Sequence, residues 1–91
     1  MQRRNWDDPA YANWRKAIRK RDKRKCQWPG CASRSKLETH HIKKWSQHPA
    51  LRYSINNGIT LCRNCHRKIK GNEEAFEQFF FKLLEWKARN D

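Results

Sequence analysis

Negative charge is what this sequence has least of. Nine of its 91 residues are acidic and 22 are basic, giving a formal net charge of +13. That excess goes far beyond what solubility requires, and its natural partner is a polyanion, nucleic acid. Long apolar runs are missing as well. No segment approaches the roughly 18 consecutive apolar residues of a membrane span. The first eight residues lack the apolar stretch of a secretory signal. The expectation is an intracellular protein with no membrane attachment. Apolar residues make up only 36% of the chain, so one small domain over residues 1–91 gains from a metal or disulfide staple. In a reducing compartment, four cysteines argue for metal rather than for two disulfides.

Residues 1–8 read as frayed. Asp8 and Pro9 then form a helix start, since Asp caps and Pro suits the first turn. Tyr11, Trp14 and Ile18 recur at helical spacing, which predicts a helix over 9–25 with a narrow apolar stripe. Eight of the eleven residues from Arg15 to Lys25 are basic and only Asp22 is acidic. Such a run usually marks a solvated face. Here the repulsion is uncompensated, which favours phosphate contact by Arg15, Arg19 and Lys23. At the other end, Phe76, Phe79, Phe80, Leu83 and Leu84 follow a broad helical stripe over 72–90, with Asn72 as cap and Glu73 and Glu74 in the first turn. That spacing makes these aromatics core rather than a base-stacking platform. The segment 72–91 carries five acids against three bases, so it reads as scaffold, and the binding face lies elsewhere.

Between the helices lie residues 26–71. Pro29-Gly30 is a turn that lets Cys26 and Cys31 point at one ion. Cys62-x2-Cys65 forms a second pair thirty residues on. Four thiolates at this spacing suit a structural Zn²⁺. Leu37 to Ile42 and Ile59 to Leu61 read as two strands of a hairpin, with Asn56-Asn57-Gly58 as a turn signal. In the wide loop between them, Trp45, Leu51 and Tyr53 are expected to pin the chain, and Lys43, Lys44 and Arg52 to face outward. After Cys65 a turn or two of helix ends at Gly71, a residue suited to the position just past a helix. His40 and His41 are neighbours on the first strand, so their rings diverge and one can bind a metal while the other acts as a base. His66 is held by the second cysteine pair.

The order His40-His41, Asn57, His66, set between Cys26-x4-Cys31 and Cys62-x2-Cys65, resembles the HNH endonuclease family over residues 26–71. The likeness is to its small zinc-stapled phage and mobile-element type. It implies an α+β fold: a ββα-metal core with a four-cysteine zinc site, flanked by the basic N-terminal helix and the amphipathic C-terminal one. It implies metal-dependent hydrolysis of DNA phosphodiesters, by nicking or double-strand cleavage, leaving 5′-phosphate and 3′-hydroxyl ends. His41 would be the general base, His40 and His66 would hold the divalent ion, and Asn57 would bridge the loop that orients His41. Many relatives carry a further His four residues beyond His66, where this chain has Lys70, which can hold a phosphate but not ligate while protonated. Two imidazoles favour Mn²⁺, Ni²⁺ or Co²⁺ over Mg²⁺. His48, beside Pro49, reads as a solvated loop residue or phosphate contact.

Phosphate contacts from the basic helix and from Lys43, Lys44, Arg63, Arg67, Lys68 and Lys70 imply low sequence specificity. A monomer or weak dimer, phage-encoded in a bacterial host and serving a larger packaging or restriction complex, fits this reading. The alternative is a zinc-stapled nucleic-acid-binding module without catalysis. A third possibility, a DNA-degrading toxin of bacteriocin type, would normally come with a translocation region, absent here.

Overall fold

In the computed structural model, which describes residues 8–90, Asp8 opens the first helix by accepting the Ala10 amide at 2.9 Å on its side chain. Helix α1 runs Pro9–Arg21. Strand β1 (Leu37–His41), strand β2 (Gly58–Cys62), helix α2 (Arg63–Ile69) and helix α3 (Glu77–Asn90) follow, with single 3-10 turns at Pro49–Leu51, Ile55–Asn57 and Glu73–Phe76. The fold is α+β: a two-stranded antiparallel hairpin clothed by helices. Apart from Asp8, the residues expected to fray lie outside those described.

The basic helix expected over 9–25 ends four residues early, and the hydrogen bonds show why. The Lys23 amide turns back to the Lys20 carbonyl and the Arg24 amide to the Arg19 carbonyl, the paired bonds of a Schellman stop. Lys23 and Arg24 take left-handed φ values of 57° and 53° to make them. Asp22 is drawn inward: it bonds Arg21 and accepts the Thr60 amide at 2.9 Å. The expected C-terminal helix is likewise divided. Asn72 makes no side-chain cap, a 3-10 turn occupies Glu73–Phe76, and regular helix begins at Glu77.

The hairpin register pairs Leu37 with Cys62, His40 with Ile59 and His41 with Gly58. Every residue of β2 is buried, because α1 covers one face while α2 and α3 cover the other. Ile59 and Leu61 join Ile42, Ile69, Phe80 and three of the cysteines in the main core. On the opposite face, Gly58 is required by space. A Cβ there would lie 2.0 Å from Ile18 Cδ1 and 2.6 Å from Trp14 Cζ2. Of the α3 stripe only Phe80 is fully buried, and Phe79 is 40% exposed.

The loop between the strands is held differently from the expectation. Trp45 is buried, whereas Leu51 and Tyr53 are exposed, and Tyr53 holds the loop through its hydroxyl, which donates to Asp8 Oδ2 at 3.3 Å, not through apolar burial. Arg52 folds inward instead of facing out: its guanidinium lies 3.6 Å over the Trp45 ring and its Nε donates to the Trp45 carbonyl. A weakly hydrated, planar cation gains more from an aromatic face than from water at a partly buried site.

Candidate metal centre and histidine cleft

Helix α2 begins at Arg63, two residues before Cys65, because Cys62 serves as its cap: the Cys65 amide points at Cys62 Sγ. That arrangement places the two sulfurs of Cys62-x2-Cys65 on one side of a turn. Cys26 and Cys31 reach the same place from a tight turn closed by the Cys31 amide on the Trp28 carbonyl. The four Sγ atoms lie within 4.8 Å of one another, a spacing that suits tetrahedral Zn²⁺. The amide pointing at Cys62 Sγ lowers its thiol to about 7, while burial pushes the Cys65 thiol up. The four sulfurs together could hold a metal ion such as zinc.

The histidines gather around a cleft beside β1. His40 and His41 diverge as neighbours on a strand do, yet both line a cleft of about 280 Å³ together with His66, Lys44, Trp45 and Glu73. The His40 and His66 rings stand 5.1 Å apart between centroids, at 62°. His66 Nδ1 meets Glu38 Oε1 at 2.7 Å. A carboxylate only accepts, so Nδ1 carries the hydrogen and the lone pair of the neutral ring sits on Nε2. His40 is buried, and burial together with the nearby His66 charge lowers it to about 4. It stays neutral at physiological pH. Its Nε2 is buried with no hydrogen-bond partner, and in the tautomer that leaves the lone pair on that nitrogen a cation would satisfy it. These two rings therefore fit a divalent ion. Among the described residues only the cysteines bring three or more ligand atoms within 4.8 Å of one another, so the histidine pair by itself offers two.

His41 is held on two sides. Its Nε2 lies 2.9 Å from the Arg52 carbonyl, which only accepts, so the hydrogen is on Nε2 and the basic lone pair on Nδ1. The Trp14 ring stacks on it at 4.0 Å and 13°, and Trp14 is fixed in turn by donating Nε1 to the Ser54 carbonyl. Asn57 is buried beneath the loop. It accepts the Lys43 amide at 2.7 Å and donates to the Lys43 and Leu51 carbonyls at 3.1 Å.

Arg67, Lys68, Lys70 and Lys23 are exposed, and Lys68 lies over the Trp28 ring. Arg63, Arg67 and Lys70 line a second hollow of about 480 Å³ that adjoins the histidine cleft through His66 and Glu73. Basic side chains also pair within the protein: Lys43 with Glu77 at 2.6 Å, while Lys44 stands 3.9 Å from Glu74 and the exposed Arg63 3.7 Å from Glu38. Arg19 donates to the Leu37 carbonyl, and Arg15 rests near the Tyr11 ring. His48 is half-buried at the start of the 3-10 turn Pro49–Leu51 and does not line the cleft.

Glu38, Trp14, Arg52 and Glu73 join the site without a motif to mark them. For Glu38 a signal exists in the sequence: it precedes His40 by two, so both point to the same face of β1 and meet His66 there. Nothing local announces that Trp14 and Arg52 flank His41.

A protein-family model described as HNH endonuclease matches residues 24–72, more than half of the chain. No curated protein and no solved structure matches it. No helix of the described residues is long and apolar enough to cross a membrane.

Proposed function

Because this chain belongs to the HNH endonuclease family, whose activity is that of a nuclease, we propose that it hydrolyses DNA phosphodiester bonds. In this reading His41 is the general base and His40 and His66 hold a divalent cation. The single observation that carries the reading is the division of labour among three histidines around one cleft. One ring is fixed with its lone pair on Nδ1 by a backbone carbonyl; two others face each other at 5.1 Å.

His41 Nδ1 takes the proton of the attacking water. The Arg52 carbonyl keeps the hydrogen on Nε2 throughout, and a hydrogen bond to that carbonyl strengthens as the ring becomes cationic. Trp14 restricts the ring to one plane and offers its π-face to the imidazolium that forms. Asn57 holds the two ends of the loop that carries Arg52, so the carbonyl stays in place. His40, neutral because it is buried, and His66, oriented by Glu38, are the ligands. A divalent cation held by these two rings would supply the charge that neutralises the scissile phosphate and stabilises the departing 3′ oxygen. Imidazole ligands favour Mn²⁺, Co²⁺ or Ni²⁺ over Mg²⁺.

Docking rests on phosphate contact from Arg67, Lys68, Lys70, Lys23 and the exposed side of α1, with low sequence preference and a steep salt dependence. Arg19 and Lys43, tied to the protein itself, contribute little unless DNA displaces their partners. Lys70, where many relatives carry a third histidine, is the observation that favours the second reading, a binding module without catalysis.

Relaxation of supercoiled plasmid in Mn²⁺ by the wild type and by His41→Ala separates the two. The nuclease reading expects the wild type to nick, and the variant to be slower by about 100-fold or more at unchanged DNA affinity. Binding without cleavage by both proteins would establish the module instead.

A further inference from the structure

The two histidines leave a divalent ion short of protein ligands. A metal held by two neutral imidazoles carries its full charge with no anionic partner, and such sites bind weakly. The position four residues beyond His66 is occupied by Lys70, which repels the ion. A different side chain, the Glu73 carboxylate, borders the same cleft.

Glu73 lines the histidine cleft with His40 and His66. It also lines the adjoining hollow, which it shares with His66, Arg63, Arg67 and Lys70. It stands at the junction of the two, where a phosphate strand crossing from the cationic side of α2 would meet the cation. Its placement is a consequence of local geometry. Lys70 and Gly71 make a tight turn after α2, with Gly71 at φ 88° and the Asn72 amide on the Ile69 carbonyl, the form in which glycine is favoured at the third position. That turn brings the next residues back toward β1. Lys43 and Lys44, just beyond His41, are bound to the same segment through Glu77 and Glu74, so the turn is fastened to the rim of the cleft.

Resting on the nuclease reading, we infer that the Glu73 carboxylate is the third protein ligand of the divalent cation, replacing the histidine that Lys70 displaces. The carboxylate accepts the exposed Gly71 amide at 3.0 Å and its own backbone amide, bonds that water can replace, and ligation requires the side chain to leave them and swing toward the rings. The result is two imidazoles and one carboxylate. This set tilts selectivity among the transition ions toward Mn²⁺, since carboxylates suit Mn²⁺ whereas imidazole alone suits Ni²⁺. Glu73 also supplies the negative charge that two neutral imidazoles lack.

The test is Mn²⁺ binding to zinc-loaded protein, followed by loss of the free Mn²⁺ electron paramagnetic resonance signal. Mn²⁺ is a poor match for the thiolate site, so the titration reads the histidine cleft. Glu73→Gln keeps an acceptor for the Gly71 amide and is expected to weaken Mn²⁺ binding by about tenfold or more, with circular dichroism and zinc content unchanged. Glu73→His is expected to raise Ni²⁺ affinity relative to Mn²⁺. A Glu73→Gln protein that binds Mn²⁺ like the wild type overturns the inference. So does a Glu73→His protein that loses both ions alike, because a purely electrostatic role predicts that. His40→Ala and His66→Ala separate this from the parent reading: if they leave Mn²⁺ binding intact, the two-histidine site itself is wrong.

Discussion

His40 shows how much a single position asks of its surroundings. It is 7% exposed, with its ring beside that of the fully buried Phe80, and burial lowers it from 6.5 to about 4. The unfolded chain therefore takes up a proton near pH 6.5 that the folded protein refuses until about pH 4. By linkage, folding stability is full above that window and falls as pH drops through it, by about 3 kcal/mol in total. Urea denaturation of zinc-loaded protein without added divalent metal, at about pH 7 and about pH 5, should show about 2 kcal/mol of that loss. His40→Gln should lose less between the same two values. Equal losses in both proteins would mean that some other group, such as the cysteine cluster, carries the acid sensitivity.

At the scale of elements, the loop between β1 and β2 matters most, because it delivers the Arg52 carbonyl to His41. Its apolar residues suggest apolar anchoring, yet two of the three are exposed. Polar chemistry holds it instead: Asn57 bonds both backbone groups of Lys43 and the Leu51 carbonyl, and Arg52 clamps Trp45. Replacing Asn57 by Ala leaves those groups without their partner, at about 1–3 kcal/mol for each one water cannot reach. The thermal stability of Asn57→Ala should fall accordingly, and its cleavage rate should drop more than its DNA affinity. If stability falls while the cleavage rate is kept, the loop is structural only. The elements themselves are largely legible in the sequence. The Asp8-Pro9 start, the two strands and the Gly71 stop follow from local chemistry, and local chemistry is what a sequence displays. The Lys23 stop is hidden because a lysine, not a glycine, adopts the left-handed conformation, and it does so to let Asp22 reach Thr60. The partners of His41 are hidden for a similar reason. Trp14 is remote in sequence, and its helical stripe announces burial without naming the neighbour it meets.

For the molecule as a whole, one thiolate cluster joins the turn after α1, the end of β2 and the start of α2. The main core is small: Ile42, Ile59, Leu61, Ile69 and Phe80 beside three cysteines. A structural zinc in a domain of this kind contributes on the order of 10 kcal/mol, comparable with the whole net stability of a folded domain. Stripping the metal with a strong chelator should therefore unfold the hairpin and α2 cooperatively, with loss of the far-ultraviolet circular dichroism signal, and restoring Zn²⁺ should recover it. Retention of the fold in the chelated protein would assign the cysteines a lesser role. The charge belongs to this scale too: acids gather along 72–91, and the cations are concentrated in the rest of the chain.

The claim on which the rest depends is that His41 is a base and not a ligand. Single-turnover cleavage of an end-labelled duplex in Mn²⁺ by His41→Gly, with and without added imidazole, tests it most directly. The expected result is a rate at least about 100-fold below wild type, partly restored by imidazole, with Mn²⁺ affinity unchanged. A His41→Gly protein that cleaves at the wild-type rate, or one that loses Mn²⁺ as His40→Ala is expected to, would contradict the assignment.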